Sequence, residues 1–469
     1  MFRTPLSVLA LSLFFLAPVT AQAPADPKLL EREILKELIE VNTSDSAGHT
    51  GQTAEALAKR LLDAGFPAAD VQILHPTDRQ GMLVARLRGS AGTVKPILLM
   101  AHLDVVDARK EDWSFDPYVF REQDGYYYGR GTNDNKAGAA MLVANFIRYK
   151  REGFVPKRDL IVVLTSDEET SGGSITYVLR EHRDLVDAEY ALNTDGGGGE
   201  LRNGKPTTFS VQAAEKVYAD FQFEVRNRGG HSSLPVPDNA IYRLSRGLDR
   251  LSTYTFPVRL TEVTRAYFDR SARSQPAQIA ADMRALAKTG SPAAAARLSQ
   301  EPYYNSVMRT TCVATRLYGG HANNALPQLA QANVNCRLHP DDSPDSVLAT
   351  LRRIAADTAV HVTKLRGGGS GTATPPSPLL PELMTPVEEL AGRMWPTASV
   401  VPEMSTGATD GYYTRTAGIP TYGVAALFEE VGDSRAHGRD ERVGVKAYHD
   451  AAAFWYQLVK TLASAPGGV

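Results

Sequence analysis

The chain is poor in cysteine, with two in 469 residues, and close to electrical balance, with a formal net charge of −2. Two isolated cysteines, Cys312 and Cys336, do not make a zinc framework. Balanced charge gives no electrostatic reason to expect nucleic acid or an anionic membrane as partner. No internal repeat is present, and no run beyond residue 19 is long and apolar enough for a membrane span. What remains is an ordinary globular composition, 43% hydrophobic and 22% charged. Its length exceeds the range over which a single core keeps growing, so two domains are expected.

The N-terminus differs from the rest. Arg3 precedes an apolar stretch over 6–19, and Ala21-Gln22-Ala23 supplies small residues spaced for signal peptidase. A signal peptide over 1–23 is expected, with a periplasmic or secreted product and no membrane attachment after its removal. An oxidising compartment permits a disulfide. Cys312 and Cys336 lie in strand-like segments, 311–317 and 332–338, flanking a loop centred near Asn324. Either a cross-strand disulfide or two buried thiols satisfies that placement.

Helical spacing over 27–41, 52–64 and 136–151 alternates with apolar strands at 71–74, 82–87, 96–101, 159–165 and 188–194. That alternation predicts an α/β fold with a doubly wound catalytic domain. After about residue 211 the pattern changes to half-exposed strands, 218–225 and the cysteine hairpin, with helices at 240–251 and 344–356. These suggest an inserted α+β lid domain over 213–372, carrying a helical insertion at about 261–300. A glycine-, serine- and proline-rich stretch over 367–378 reads as the return crossing. The catalytic domain would then comprise 24–212 and 373–469.

Polar residues gather where the apolar strands end, which is where open α/β sheets build their sites. His102 and Asp104 follow one strand, Asp167-Glu168-Glu169 the next, and Asp195 a third. Asp134 stands between Gly129-Arg130-Gly131 and a helix, and His437 lies in a polar loop near the end. Each has a plain alternative: a structural pair, a solvated acidic turn, a helix cap, an exposed histidine. Together they form a nitrogen and oxygen donor set without cysteine, which suits a pair of zinc-like ions better than a nucleotide.

In this order, His102-Leu103-Asp104, Gly129-Arg130-Gly131 with Asp134 and Lys136, Asp167-Glu168-Glu169, Asp195, Gly229-Gly230-His231 and His437-Gly438 make a specific pattern. It resembles the co-catalytic zinc metallopeptidase family of carboxypeptidase S, glutamate carboxypeptidases, acetylornithine deacetylase, aminoacylase and carnosinase. The likeness is nearest to the carboxypeptidase S and glycine-X carboxypeptidase branch.

The resemblance implies two Zn2+ ions, with Co2+ or Mn2+ as possible substitutes. One would be held by His102, Asp134 and Asp195, the other by Asp134, Glu169 and His437, with Asp134 bridging. It implies Glu168 as general base, Asp104 as the residue orienting His102, and a cis bond between Asp134 and Asn135. A hydroxide between the metals would be the nucleophile. On the lid it implies His231 as oxyanion stabiliser and Asn324 and Arg337 as substrate contacts, and near the site the loop with Gly407 and Thr409. A homodimer through the lid is also implied.

Departures from the pattern are Ala408 in place of a glycine, polar Asn133, and the helical insertion. The expected substrate is a small peptide or N-acyl amino acid with a free carboxylate: carboxypeptidase-like hydrolysis leads, and an aminoacylase-like reaction competes. A peptide-binding protein on an inactive scaffold would lack a ligand or the base, and every matched position is filled.

Overall fold

The computed structural model describes residues 26–365 and 373–465. The expected signal peptide and the first part of the glycine-rich crossing therefore lie outside the described residues.

The larger sheet has ten strands. At its centre Leu160–Thr165, Ile97–His102, Tyr190–Asn193 and Thr421–Gly423 run parallel. Antiparallel neighbours extend both sides, Gln80–Leu87 with Val71–Thr77 on one and Lys205–Glu215 with Gly198–Arg202 on the other. Strand alternation divides the apolar residues between two cores. Leu99, Ala101, Val162 and Leu164 meet Leu142 and Phe146 of helix Lys136–Arg151. Leu98, Met100, Ile161 and Val163 meet Ile175 and Val178 of helix Gly173–Glu181. Both faces are covered, so the central strands read as unbroken apolar runs. Their C-terminal ends share one edge, and the polar residues that follow are brought together there.

Strand Lys205–Glu215 leads through Lys216 into Val217–Arg226, which belongs to a separate four-stranded antiparallel sheet. Phe221, Phe223 and Val225 face its two helices, Ala240–Thr253 and Pro344–Ala355, while Tyr218, Asp220 and Gln222 point away from that core. Lys216 is fully buried and ties the crossing together. Its Nζ donates to the Ser306 and Arg309 carbonyls at 2.9 and 2.8 Å and to Thr311 Oγ1 at 3.0 Å. Burial pushes this amine down to about 7.

The hairpin of Thr311–Gly319 and Leu329–Leu338 sets Cys312 directly opposite Cys336. The two form a disulfide, with Cα atoms 4.1 Å apart. Between the alternatives left open by sequence, the structure takes the bridge.

The insertion requires a correction. Its helices, Glu262–Ser271, Ala277–Thr289, Pro292–Leu298 and Pro302–Val307, fall in chain order between strands Val217–Arg226 and Thr311–Gly319 of the small sheet, which suggested that they extend it. Instead Val263, Phe268, Met283, Leu286 and Leu298 join the core of the large sheet, together with Met404 and Leu390. Helix Glu262–Ser271 packs along strand Ser399–Ser405, and Arg270 pairs with Glu388. Its apolar face is buried by a strand that arrives more than a hundred residues later.

Candidate metal centre

Strand ends and two loops assemble the site. His102 closes its strand, Glu168 and Glu169 follow Leu160–Thr165, and Asp195 follows Tyr190–Asn193. Asp134 arrives on the turn before helix Lys136–Arg151, and His437 on the loop after Phe428–Glu430. The turn needs glycine at Gly131, whose φ is 93° and where a Cβ would sit 2.8 Å from the Lys136 side chain.

His102 Nε2 lies 2.9 Å from Asp134 Oδ1 and 4.0 Å from Asp195 Oδ2. On the other side, His437 Nε2 lies 3.0 Å from Asp134 Oδ2 and 3.1 Å from Glu169 Oε1. Two groups of three potential ligands result, each with its ligand atoms within 4.8 Å, and both contain Asp134. The bond between Asp134 and Asn135 is cis, as the sequence pattern implies.

Asp104 does more than expected. The His102 Nδ1–H donates to the Asp104 backbone carbonyl at 3.0 Å, with the Asp104 carboxylate 3.4 Å from the same nitrogen. That carboxylate accepts the backbone N–H groups of Glu168 and Glu169 at 3.1 and 3.0 Å. One residue thus fixes both, the acidic turn through its carboxylate and the ring beside it through its carbonyl.

Electrostatics here are dominated by crowded acids. Burial pushes the Asp195 carboxyl well above the ordinary range, reinforced by the Asp134 charge. Burial does the same to Glu168, with Asp195 adding to it. Burial opposes ionisation of Asp134 too, but hydrogen bonds from His102 and His437 overcome it and hold that carboxyl low. Bonds to Asp134 and Glu169 raise His437 to about 10. Imidazole and carboxylate donors, with mutually repelling acids between them, fit divalent cations.

Other expected residues stand apart. His231 and Asn324 sit on an exposed ribbon formed by Gly230–His231 and Ala325–Leu326, where the Asn324 carbonyl accepts Ser232 N–H at 3.0 Å. The His231 ring bonds Ser233 Oγ at 2.7 Å. Arg337 stacks over Tyr218, 4.7 Å from the ring centre, in a cavity of about 630 Å³ on the outer face of the small sheet. Gly407 is exposed and donates to Ser405 Oγ, whereas the Thr409 hydroxyl donates to Glu215 at 3.0 Å. Glu215 in turn pairs with buried Arg415 at 2.6 Å.

Sequence reasoning missed several supporting residues. Buried Asp410 accepts Thr165 Oγ1 at 2.6 Å, and burial pushes its carboxyl up to about 7. Arg130 and Glu441 form a buried ion pair at 2.6 Å beneath the loops of Asp134 and His437. Asn133 donates to Glu429 Oε1 at 2.7 Å, so this departure from the family pattern has a partner. Arg130 stood inside the Gly-Arg-Gly signal, while an acid in a polar loop gave no signal for Glu441.

Residues 98–461 match the peptidase family M20/M25/M40. The chain belongs to this family. It is 26% identical to the human N-fatty-acyl-amino acid synthase/hydrolase PM20D1 over 464 residues, covering 94% of this chain and 89% of the relative. A probable carboxypeptidase S-like protein from Dictyostelium discoideum is 28% identical over 390 residues, 81% of this chain and 74% of that one. The M20 metallo-carboxypeptidase Sso-CP2 from Sulfolobus solfataricus superposes with a TM-score of 0.69 at 17% identity, covering 92% and 99% of the two chains. The protein is a metal-dependent hydrolase of the peptidase and amidohydrolase kind. Among the described residues no helix is long and apolar enough to cross a membrane.

Proposed function

We propose that this enzyme is an exported dinuclear zinc exopeptidase of carboxypeptidase type, acting on short peptides with a free carboxylate. The observation that carries the reading is the pair of three-residue groups sharing Asp134, with half-buried Glu168 beside them and belonging to neither. His102, Asp134 and Asp195 would hold one cation, and Asp134, Glu169 and His437 the other. When bound, the two cations supply Lewis acidity, polarising the scissile carbonyl and making water a better nucleophile.

Glu168 takes a proton from the attacking water as the new C–O bond forms. The carboxyl then returns that proton to the amine nitrogen as the C–N bond breaks. His231 donates to the oxyanion once the small sheet approaches the large one. Arg337, with its planar fork braced on Tyr218, receives the substrate carboxylate. Export is supported by the N-terminal sequence together with the disulfide between Cys312 and Cys336.

A second reading, hydrolysis of N-acyl amino acids, is favoured by the likeness to PM20D1 across 94% of this chain. Both reactions break an amide next to a free carboxylate, so one panel separates them. The zinc-loaded enzyme is assayed on dipeptides, their C-terminal amides and matched N-acyl amino acids. The carboxypeptidase reading expects kcat/KM highest on dipeptides, and about 10- to 100-fold lower on the amides for loss of a charged hydrogen bond. Equal rates on acid and amide would overturn it, and preference for long acyl chains would establish the second reading.

A further inference from the structure

The loops that carry Asp134 and His437 lie about three hundred residues apart in sequence, yet each is gripped by a side chain from the other. Glu441 sits in the His437 loop and is fully buried. Its Oε1 accepts the backbone N–H of Asn133 at 2.8 Å and of Asp134 at 3.1 Å. Its Oε2 accepts Gly131 N–H at 3.1 Å and Arg130 Nη1 at 2.6 Å. In the opposite direction, Arg130 Nη2 donates to the Gly438 carbonyl at 3.0 Å and the His437 carbonyl at 3.4 Å. The guanidinium is also covered by the Trp113 ring, 5.1 Å from its centre.

This grip bears on backbone that would not otherwise stay in place. His437 stands at φ 62°, a left-handed conformation that a residue with a side chain adopts only when its surroundings impose it. The bonds from Arg130 to the carbonyls of His437 and Gly438 brace that turn beside its own backbone bond, from Gly438 N–H to the Arg435 carbonyl at 2.9 Å. Glu441 meanwhile satisfies the N–H donors of Gly131, Asn133 and Asp134, which the turn would otherwise leave orphaned.

We infer that Arg130 and Glu441 are positioning residues for the metal bound by Asp134, Glu169 and His437, setting the distance between its two loop-borne ligands. The inference rests on the two-metal reading above. It also makes an asymmetric claim. The His437 group draws two of its three ligands from the gripped loops. The His102 group draws one, since His102 and Asp195 ride on central strands. Loosening the grip therefore weakens the His437 group more.

Arg130→Lys keeps a cation beside Glu441, yet one ammonium cannot span both that carboxylate and the two carbonyls. Glu441→Asp keeps the anion but shortens its reach to the Asn133 and Asp134 N–H groups. Each variant, stripped by a chelator, is titrated with Zn2+ against a chromophoric competitor and with Co2+ by electronic absorption. Thermal unfolding of the metal-free form checks the fold. Wild type is expected to bind two ions. Each folded variant should keep the first nearly unchanged and lose about 10- to 100-fold in affinity for the second, as removal of outer-shell partners typically does. Added Zn2+ should restore kcat, with little change in KM.

Equal weakening of both ions, or unchanged affinity for both, overturns the inference. So does failure of both variants to fold, because the pair would then serve the core rather than the metal. Wild type binding fewer than two ions instead overturns the two-metal reading, so the failures are distinguishable.

Discussion

The metal-ligand loops and the ribbon carrying His231 and Asn324 are built on opposite principles. In the first, His102 is 1% exposed, and Asp104, Arg130 and Glu441 hold the backbone on either side of the ligands with short hydrogen bonds. In the second, two residues pair with two, and the histidine ring is held by a serine two positions away. The first arrangement fixes atoms before substrate arrives, at the cost of crowding acids that repel one another. The second has few buried contacts to oppose a movement. The candidate metal ligands thus sit on a fixed frame, and the substrate contacts proposed for His231 and Asn324 on a ribbon with little to hold it.

The sharpest way to break that comparison is at Glu168. Glu168→Gln keeps the shape and removes the base, so kcat should fall by about 10²- to 10⁴-fold. Zinc content measured on the same sample should stay at the wild-type value, because Glu168 belongs to neither ligand group. A kcat within tenfold of wild type would remove it from the chemistry.

How far the sequence reveals this follows from where the information is stored. The strand ends are legible because a buried parallel strand is a continuous apolar run, and polar residues at its end are conspicuous. Asp134 and His437 are ambiguous alone, as a helix cap and a loop histidine look the same, and only their order with the others identifies them. Glu441 is hidden for a physical reason. Its neighbours in sequence are polar, but its partners are backbone N–H groups on a turn that only the completed fold brings near. The insertion misleads in a similar way. Val263 and Phe268 mark an apolar face without marking its partner, strand Ser399–Ser405, which comes later in the chain. The disulfide was half legible, since spacing allowed the register that pairing of the two strands then imposed.

A smaller effect is expected on the ribbon. His231→Ala should lower kcat by about 10²-fold, the usual cost of one oxyanion donor, with KM moving less. A change confined to KM would make His231 a substrate contact instead. Smaller still, Arg337→Ala should raise KM by about 10- to 100-fold for free-carboxylate substrates and leave their amides unaffected. Arg337→Lys should recover part of that loss, because the charge remains while the fork is gone. An equal rise for the amides would assign Arg337 to the sheet, through its stacking on Tyr218.

The smallest effect on catalysis should come from the bridge itself. Replacing Cys312 and Cys336 together by serine opens a loop with a sequence separation of 24, which costs about 3.5 kcal/mol on the chain-entropy estimate. Denaturant unfolding, compared with the oxidised wild type, measures that loss. The effect on kcat/KM should stay within about twofold, since the bridge joins two strands already paired at eight positions, four on each side of an irregularity between Ala314 and Arg316. A much larger fall in kcat/KM, at a denaturant concentration where the variant is still folded, would reverse the comparison. It would mean that the small sheet must be as rigid as the metal loops, and that the exposed ribbon at its end is held in place from behind by the disulfide.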